Sequence, residues 1–123
     1  MNASGMRLFS GAMADCLFCM IVQGKIPATV VYQDADVIAI NDAYPRAPFH
    51  VLVMPKKHVP RLSELEDLVL SGTLLQAARK VARDVGKTQS YRLVVNTGEA
   101  SGQSVQHLHV HVLAGRNFEW PPG

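Results

Sequence analysis

Gly102-Gln103-Ser104-Val105-Gln106-His107-Leu108-His109-Val110-His111-Val112-Leu113 carries three of the chain's five histidines at strict alternation. Successive side chains of a β-strand point to opposite faces. The spacing therefore predicts a strand with His107, His109 and His111 on one face and Leu108, Val110 and Val112 on the other. Imidazoles roughly 6.5–7 Å apart along a strand face make poor core filler, because each buried ring needs a hydrogen-bond partner or costs stability. One such histidine reads as a core residue. Three in a row read as a site.

The neighbouring polar residues suggest what the site handles. Gly102-Gln103-Ser104 sets a flexible backbone, an amide and a hydroxyl just before the imidazoles, and Asn96 closes the preceding strand. All are groups that donate to phosphate oxygens. A neutral imidazole is a competent nucleophile at phosphorus, and the adduct divides one hard displacement into two easier ones. That role requires the second ring nitrogen to be held by a partner, which fixes the tautomer.

A competing reading is a metalloenzyme, since His-x-His on a strand is a common ligand spacing and imidazole suits zinc. It leaves Cys16-Leu17-Phe18-Cys19, which holds the chain's only two cysteines, without a role. Two thiols three residues apart read as metal ligands or as a redox pair, not as the disulfide framework of a small secreted protein. A structural site of two Cys and two His uses them economically, with His58 and His107 as candidates for the other two ligands.

The rest of the chain supplies the frame. Asp15 is the expected N-cap of a short helix carrying both cysteines and ending at Gly24. Residues 29–33 and 37–41 are β-branched runs joined by Asp34-Ala35-Asp36, a hairpin signature. His50–Met54 forms a third strand ended by Pro55, and Tyr91–Asn96 a fourth. Ser63 and Glu66 make a capping box for one long helix. Its apolar face is predicted to hold Leu65, Leu68, Val69, Leu75, Ala78, Val81, Ala82 and Val85, with Gly86 as its C-cap. Clustered strands give an α+β domain: a five-stranded antiparallel sheet, one short N-terminal helix and one long helix.

Composition excludes several classes. Twelve Lys+Arg against ten Asp+Glu give a net charge of +2, too small to suggest nucleic-acid binding by electrostatics. No apolar run approaches the roughly 20 residues that span a bilayer, so the expectation is a soluble, cytoplasmic protein. Residues 1–13 read as a disordered leader, or as a short organellar presequence, ahead of one domain over residues 14–123. The proline-rich tail ending in Trp120-Pro121-Pro122-Gly123 reads as irregular, with Trp120 docking on something.

His107-Leu108-His109-Val110-His111-Val112-Leu113 fits the His-φ-His-φ-His-φ-φ signature, φ being apolar, of the histidine triad (HIT) superfamily. With Cys16-x-x-Cys19, Asn41-Asp42, the segment from Ala47 to His58, Gly102-Gln103-Ser104 and the Trp120 tail, the chain resembles the nucleotide-binding, purine nucleoside phosphoramidase branch. The resemblance implies that His109 attacks the α-phosphorus of an adenosine or guanosine 5′-phosphoramidate. The amine is expelled, and water then releases the nucleoside monophosphate from a nucleotidyl-histidine. It implies that His111 and Ser104 hold the phosphate beside Asn96, Gly102 and Gln103, and that His50 supports the nucleophile. Asp42 would take the ribose hydroxyls, and Phe18, Ile21, Ile40 and Leu52 would line the base pocket. It further implies a homodimer with the sheet extended across it, structural zinc on Cys16, Cys19, His58 and His107, and no metal required for catalysis. Ala43-Tyr44 departs from the family pattern at the pocket rim. A nucleotide-binding regulatory module with little turnover is the alternative use of the same pocket.

Overall fold

The computed structural model describes residues 15–123; the expected leader over residues 1–13 lies outside them. Five strands form one antiparallel sheet: β1 (Val30–Gln33), β2 (Val37–Asn41), β3 (Phe49–Pro55), β4 (Arg92–Val94) and β5 (Val110–Ala114), in the spatial order β1-β2-β3-β5-β4. Two α-helices, α1 (Leu17–Val22) and α2 (Leu68–Asp84), complete it, with short 3-10 turns at Leu62–Glu64 and Glu99–Ser101. The α+β expectation holds, strand for strand.

Alternation sorts the sheet into two buried faces. Val37 and Ala39 of β2, Val51 and Val53 of β3, and Val110 and Val112 of β5 join Leu108 against Leu70, Leu74, Ala77, Ala78, Val81 and Ala82 of α2. Their neighbours Ile38, Ile40, Leu52 and Met54 pack on the other face with Cys16, Phe18 and Cys19. A strand buried on both sides reads as a near-continuous apolar run, which is how β2 and β3 read in the sequence. The second face carries His50, in register with Leu113, and His111, in register with Leu52. The pleat thus makes those two histidines diagonal neighbours.

Several boundaries differ from expectation, each for a local reason. The N-cap of α1 is Cys16, not Asp15: its Sγ accepts the Cys19 N–H at 3.3 Å. Helix α2 is capped by Asp67, whose Oδ1 accepts the Leu70 N–H at 3.0 Å, so Ser63 and Glu66 form no box. The later start shifts the buried stripe: Leu68, Val69 and Leu75 are exposed, while Leu70, Leu74 and Ala77 are buried. At the other end Val85 caps the helix, and the left-handed residue is Lys87, with φ 55°. Gly86 is instead required by packing, since a Cβ there would sit 2.9 Å from the Ala82 carbonyl oxygen and 3.0 Å from the Phe49 ring.

The largest difference concerns the histidine stretch itself. Regular pairing begins only at Val110, so His111 is the one triad member within β5. His107 and His109 lie on the irregular approach to it. There Leu108 N–H donates to the Val59 carbonyl at 2.7 Å, and no sheet ladder is recorded at these residues. The alternation of faces nonetheless persists, with Leu108 in the α2-side core. The C-terminal tail is irregular as expected, and it is tied down. The Phe118 ring lies under the guanidinium groups of Arg92 and Arg116, and Arg92 donates to the Glu119 carbonyl at 2.8 Å. Trp120 beyond it is 82 % exposed.

Candidate functional site

Two sites adjoin on the face of the sheet that α1 covers. The first is a closed cluster. Cys16 and Cys19 come from the N-terminal end of α1, His58 follows β3, and His107 lies on the approach to β5. Their ligand atoms all lie within 4.8 Å of one another. Cys19 Sγ is 3.1 Å from His58 Nδ1 and 3.5 Å from His107 Nδ1, and Cys16 Sγ is 3.4 Å from His107 Nδ1.

The donor set fits a closed tetrahedral metal site. Zn–S and Zn–N bond lengths imply ligand–ligand edges of roughly 3.3–3.8 Å, close to the contacts observed. His107 is completely buried, and its Nε2 lies 2.7 Å from the Pro55 carbonyl oxygen. A carbonyl only accepts, so Nε2 carries the proton and the Nδ1 lone pair faces both sulfurs. Outer-shell bonds of this kind orient histidine ligands for a metal. Burial holds His107 neutral, lowering its pKa to about 4, and holds His58 below its ordinary value. Burial, reinforced by Cys16, pushes the Cys19 thiol up to about 12, so a bound metal must displace that proton. These four residues could hold a metal ion, and they are the four expected from the sequence.

The second site is an open cleft of about 650 Å³. Phe18, Ile21, Ile40 and Leu52 line it as expected, together with Asp42, Ser104, His109 and His111. His109 Nδ1 lies 2.7 Å from the His107 carbonyl oxygen, which places the proton on Nδ1 and leaves a lone pair on Nε2. Burial lowers its pKa, against the opposing pull of the His107 carbonyl, so the free lone pair is the resting state. The Phe18 ring meets His109 edge to face, with centroids 5.1 Å apart and planes at 89°.

A chain of hydrogen bonds fixes the next tautomers. The Arg46 backbone N–H donates to His50 Nδ1 at 2.9 Å. His50 Nε2 must then carry the proton, which it gives to His111 Nδ1 at 2.9 Å, with Asp42 Oδ2 also 3.3 Å away. The proton of neutral His111 is thereby on Nε2. Burial, then the neighbouring His109 and His50, lower the His111 pKa to about 4; burial also lowers that of His50. His111 is therefore a neutral donor at the cleft, and His109 a neutral acceptor. Asp42 is held in turn by the Tyr44 N–H, 2.8 Å from its Oδ1.

Three expectations need correction or relocation. Gln103 has no amide proton left for a phosphate: Nε2 donates to the Pro60 and Val105 carbonyls at 2.7 and 3.0 Å, while Oε1 accepts the Gly98 N–H at 2.9 Å. It is buried and braces the loop that presents Ser104. His50 meets His111 and not His109, so any support it gives the nucleophile passes through His111. Asn96 and Gly102 lie beside each other, a Cβ on Gly102 falling 4.0 Å from Asn96 Cγ, and neither lines the cleft.

Tyr44 lines the cleft at the rim where Ala43-Tyr44 departs from the family pattern, whereas Leu17 and Val105 are cleft walls that the sequence reading missed. That reading also missed the main-chain groups of Arg46, Pro55 and His107 that set the tautomers. Leu17 and Val105 carried a signal, since each adjoins a residue already assigned. Backbone carbonyls and amides leave no trace in residue identity.

A family model for the HIT domain matches residues 23–118. An uncharacterised HIT-like protein of Synechocystis is 49 % identical over 111 residues, covering 89 % of this chain and 97 % of that one. Among solved structures, a HIT family hydrolase from Legionella pneumophila is 45 % identical with a TM-score of 0.85, over 89 % of this chain and all of that one. A histidine triad protein from Clostridium difficile is 41 % identical with a TM-score of 0.80, over 85 % and 94 % of the two chains. The three alternating histidines thus sit in a chain that belongs to the HIT proteins.

Proposed function

We propose that the protein is a hydrolase of purine nucleoside 5′-phosphoramidates, acting through a nucleotidyl intermediate on His109. The observation that carries this reading is the tautomer of His109, whose Nδ1–H is taken by the His107 carbonyl so that Nε2 offers its lone pair in the cleft. A purine fits the slot between Phe18, Ile21, Ile40 and Leu52, and Asp42 accepts from the ribose hydroxyls. His111 Nε2–H and the Ser104 hydroxyl hold nonbridging phosphate oxygens. His109 Nε2 attacks the α-phosphorus as the P–N bond breaks, and the bonding pair leaves with nitrogen, which takes up a proton and departs as the amine. Water then attacks phosphorus, the P–Nε2 bond breaks, and the proton lost by water balances the one taken by the amine. One water is consumed per turnover.

Zinc on Cys16, Cys19, His58 and His107 would cross-link α1 to the segment that carries the nucleophile, a structural contribution. The similarity to HIT family hydrolases supports the class of reaction, and the edge position of β4 suits a sheet continued into a second copy. Among the described residues no helix is long and apolar enough to cross a membrane, in keeping with a cytoplasmic placement.

Trapping tests the reading directly. Rapid quenching with adenosine 5′-phosphoramidate, followed by peptide mapping, should place an adenylyl adduct on His109. An adduct on another residue, or turnover with none at His109, overturns it.

A further inference from the structure

A second cleft of about 590 Å³ opens beside the first, and Leu17, Ser104 and Val105 line both. Its far wall is built by cross-lacing two loops. Arg61 donates to Glu64 Oε2 at 2.9 Å and to Gln106 Oε1 at 2.6 Å, while Gln103 bonds the Pro60 carbonyl at 2.7 Å. Asp15 faces the same space and has no ion-pair partner among the described residues. Two carboxylates, Asp15 and Glu64, against the Arg61 guanidinium leave the wall with one net negative charge.

We propose that this second cleft is the subsite for the amine side of the substrate, and that it favours amines carrying a positive charge beyond the P–N bond. The inference rests on the phosphoramidase reading. If the nucleoside occupies the larger apolar cleft and phosphorus lies against Ser104, the remaining substituent on phosphorus has the space beyond Ser104 to enter. That space is the second cleft. Its charge then selects the substituent, because an extra cation and an extra anion meet opposite Coulomb terms from Asp15 and Glu64. The terminal nitrogens of Arg61 are engaged by Glu64 and Gln106 and its Nε is buried, so an anionic substituent meets a cation already paired with a carboxylate.

The test compares adenosine 5′-phosphoramidates of putrescine and γ-aminobutyrate, of similar length and opposite terminal charge. The readout is the ratio of their kcat/KM values on one protein preparation, which cancels changes common to both. Wild type should favour the putrescine amidate by about tenfold, and the Asp15→Asn/Glu64→Gln variant should bring the ratio to about one. The exposed Glu64 pair contributes little to stability, so the variant should fold, as its melting curve will report. A wild-type ratio near one, or a ratio undiminished in the folded variant, overturns the subsite. Wild type is also assayed with the unsubstituted phosphoramidate, whose ammonia leaving group is too small to reach the second cleft. Failure to turn over that compound overturns the parent reading and the subsite with it, whereas its turnover beside a flat amine ratio overturns the subsite alone.

Discussion

His107 and His109 stand two residues apart, both buried, and the fold uses them in opposite senses. His107 gives its Nε2–H to the Pro55 carbonyl and turns Nδ1 into a closed cluster with two thiols. His109 gives its Nδ1–H to the His107 carbonyl and leaves Nε2 for an open cleft. Both rings are kept neutral by burial. The decisive variable is which ring nitrogen meets a main-chain carbonyl, for that fixes the tautomer and the direction of the lone pair. In one site every donor looks inward to a single point; in the other one lone pair is left for the cleft.

The sharpest way to break this contrast is His109→Ala. Turnover of adenosine 5′-phosphoramidate should fall roughly ten-thousand-fold, while adenosine monophosphate binding, measured by calorimetry, persists through the apolar slot and Asp42. Unimpaired turnover would show that the lone pair in the cleft is not the reacting one. Cys16→Ser probes the other region. Zinc measured on the purified protein should drop from one equivalent per chain to near none. The loss should cost about 3 kcal/mol and lower Tm by about 10–15 °C. Unchanged zinc content would refute the cluster as a metal site.

The Arg46–His50–His111 chain gives the next largest effects. His50→Ala frees His111 to exchange tautomers, and kcat/KM should fall about 10–100-fold, the usual scale for losing a group that orients a functional histidine. A change below threefold would leave His50 without a positioning role. Acid tests the same chain. Burial, and then the neighbouring His109 and His50, make the folded state resist a proton on His111, so its pKa lies at about 4 instead of 6.5. The unfolded chain therefore binds more protons between those values, and stability must fall as pH drops from about 6.5 to about 4. Denaturant melts should show that slope, and His111→Gln should make it shallower. An identical slope in the variant would exclude His111 as its source.

How much of this was legible in the sequence follows the same division. Side-chain identity and spacing were enough to nominate the cluster of Cys16, Cys19, His58 and His107, whereas the apolar floor of the cleft followed from the resemblance to the HIT superfamily. Near-continuous apolar runs bounded by turn residues made β2 and β3 plain. The start of α2 was not, because Ser63-x-x-Glu66 and Asp67 are both credible caps, and only the packing of Leu70 and Leu74 on the sheet chooses between them. Gln103 was misjudged for a related reason. An amide beside histidines looks like a ligand group until the Pro60 and Val105 carbonyls, the former over forty residues away in the chain, are seen to use both its protons. The tautomers were beyond reach of the sequence, since main-chain atoms that every residue possesses set them.

The smallest effect is expected where the two regions touch. Phe18 lies between them, its ring edge-on to His107 with centroids 5.9 Å apart and to His109 at 5.1 Å. It also belongs to the helix that holds both thiols. Phe18→Leu keeps most of the buried apolar volume and removes the aromatic edge contacts, each about 0.5–1.5 kcal/mol. If the regions are mechanically joined through this ring, the variant should lose about 1 kcal/mol of stability and about threefold to tenfold in kcat while retaining its zinc. A loss of stability with unchanged kcat would mean that the His107 carbonyl alone is enough to aim the nucleophile, and that the closed cluster acts on the open cleft only through the backbone they share.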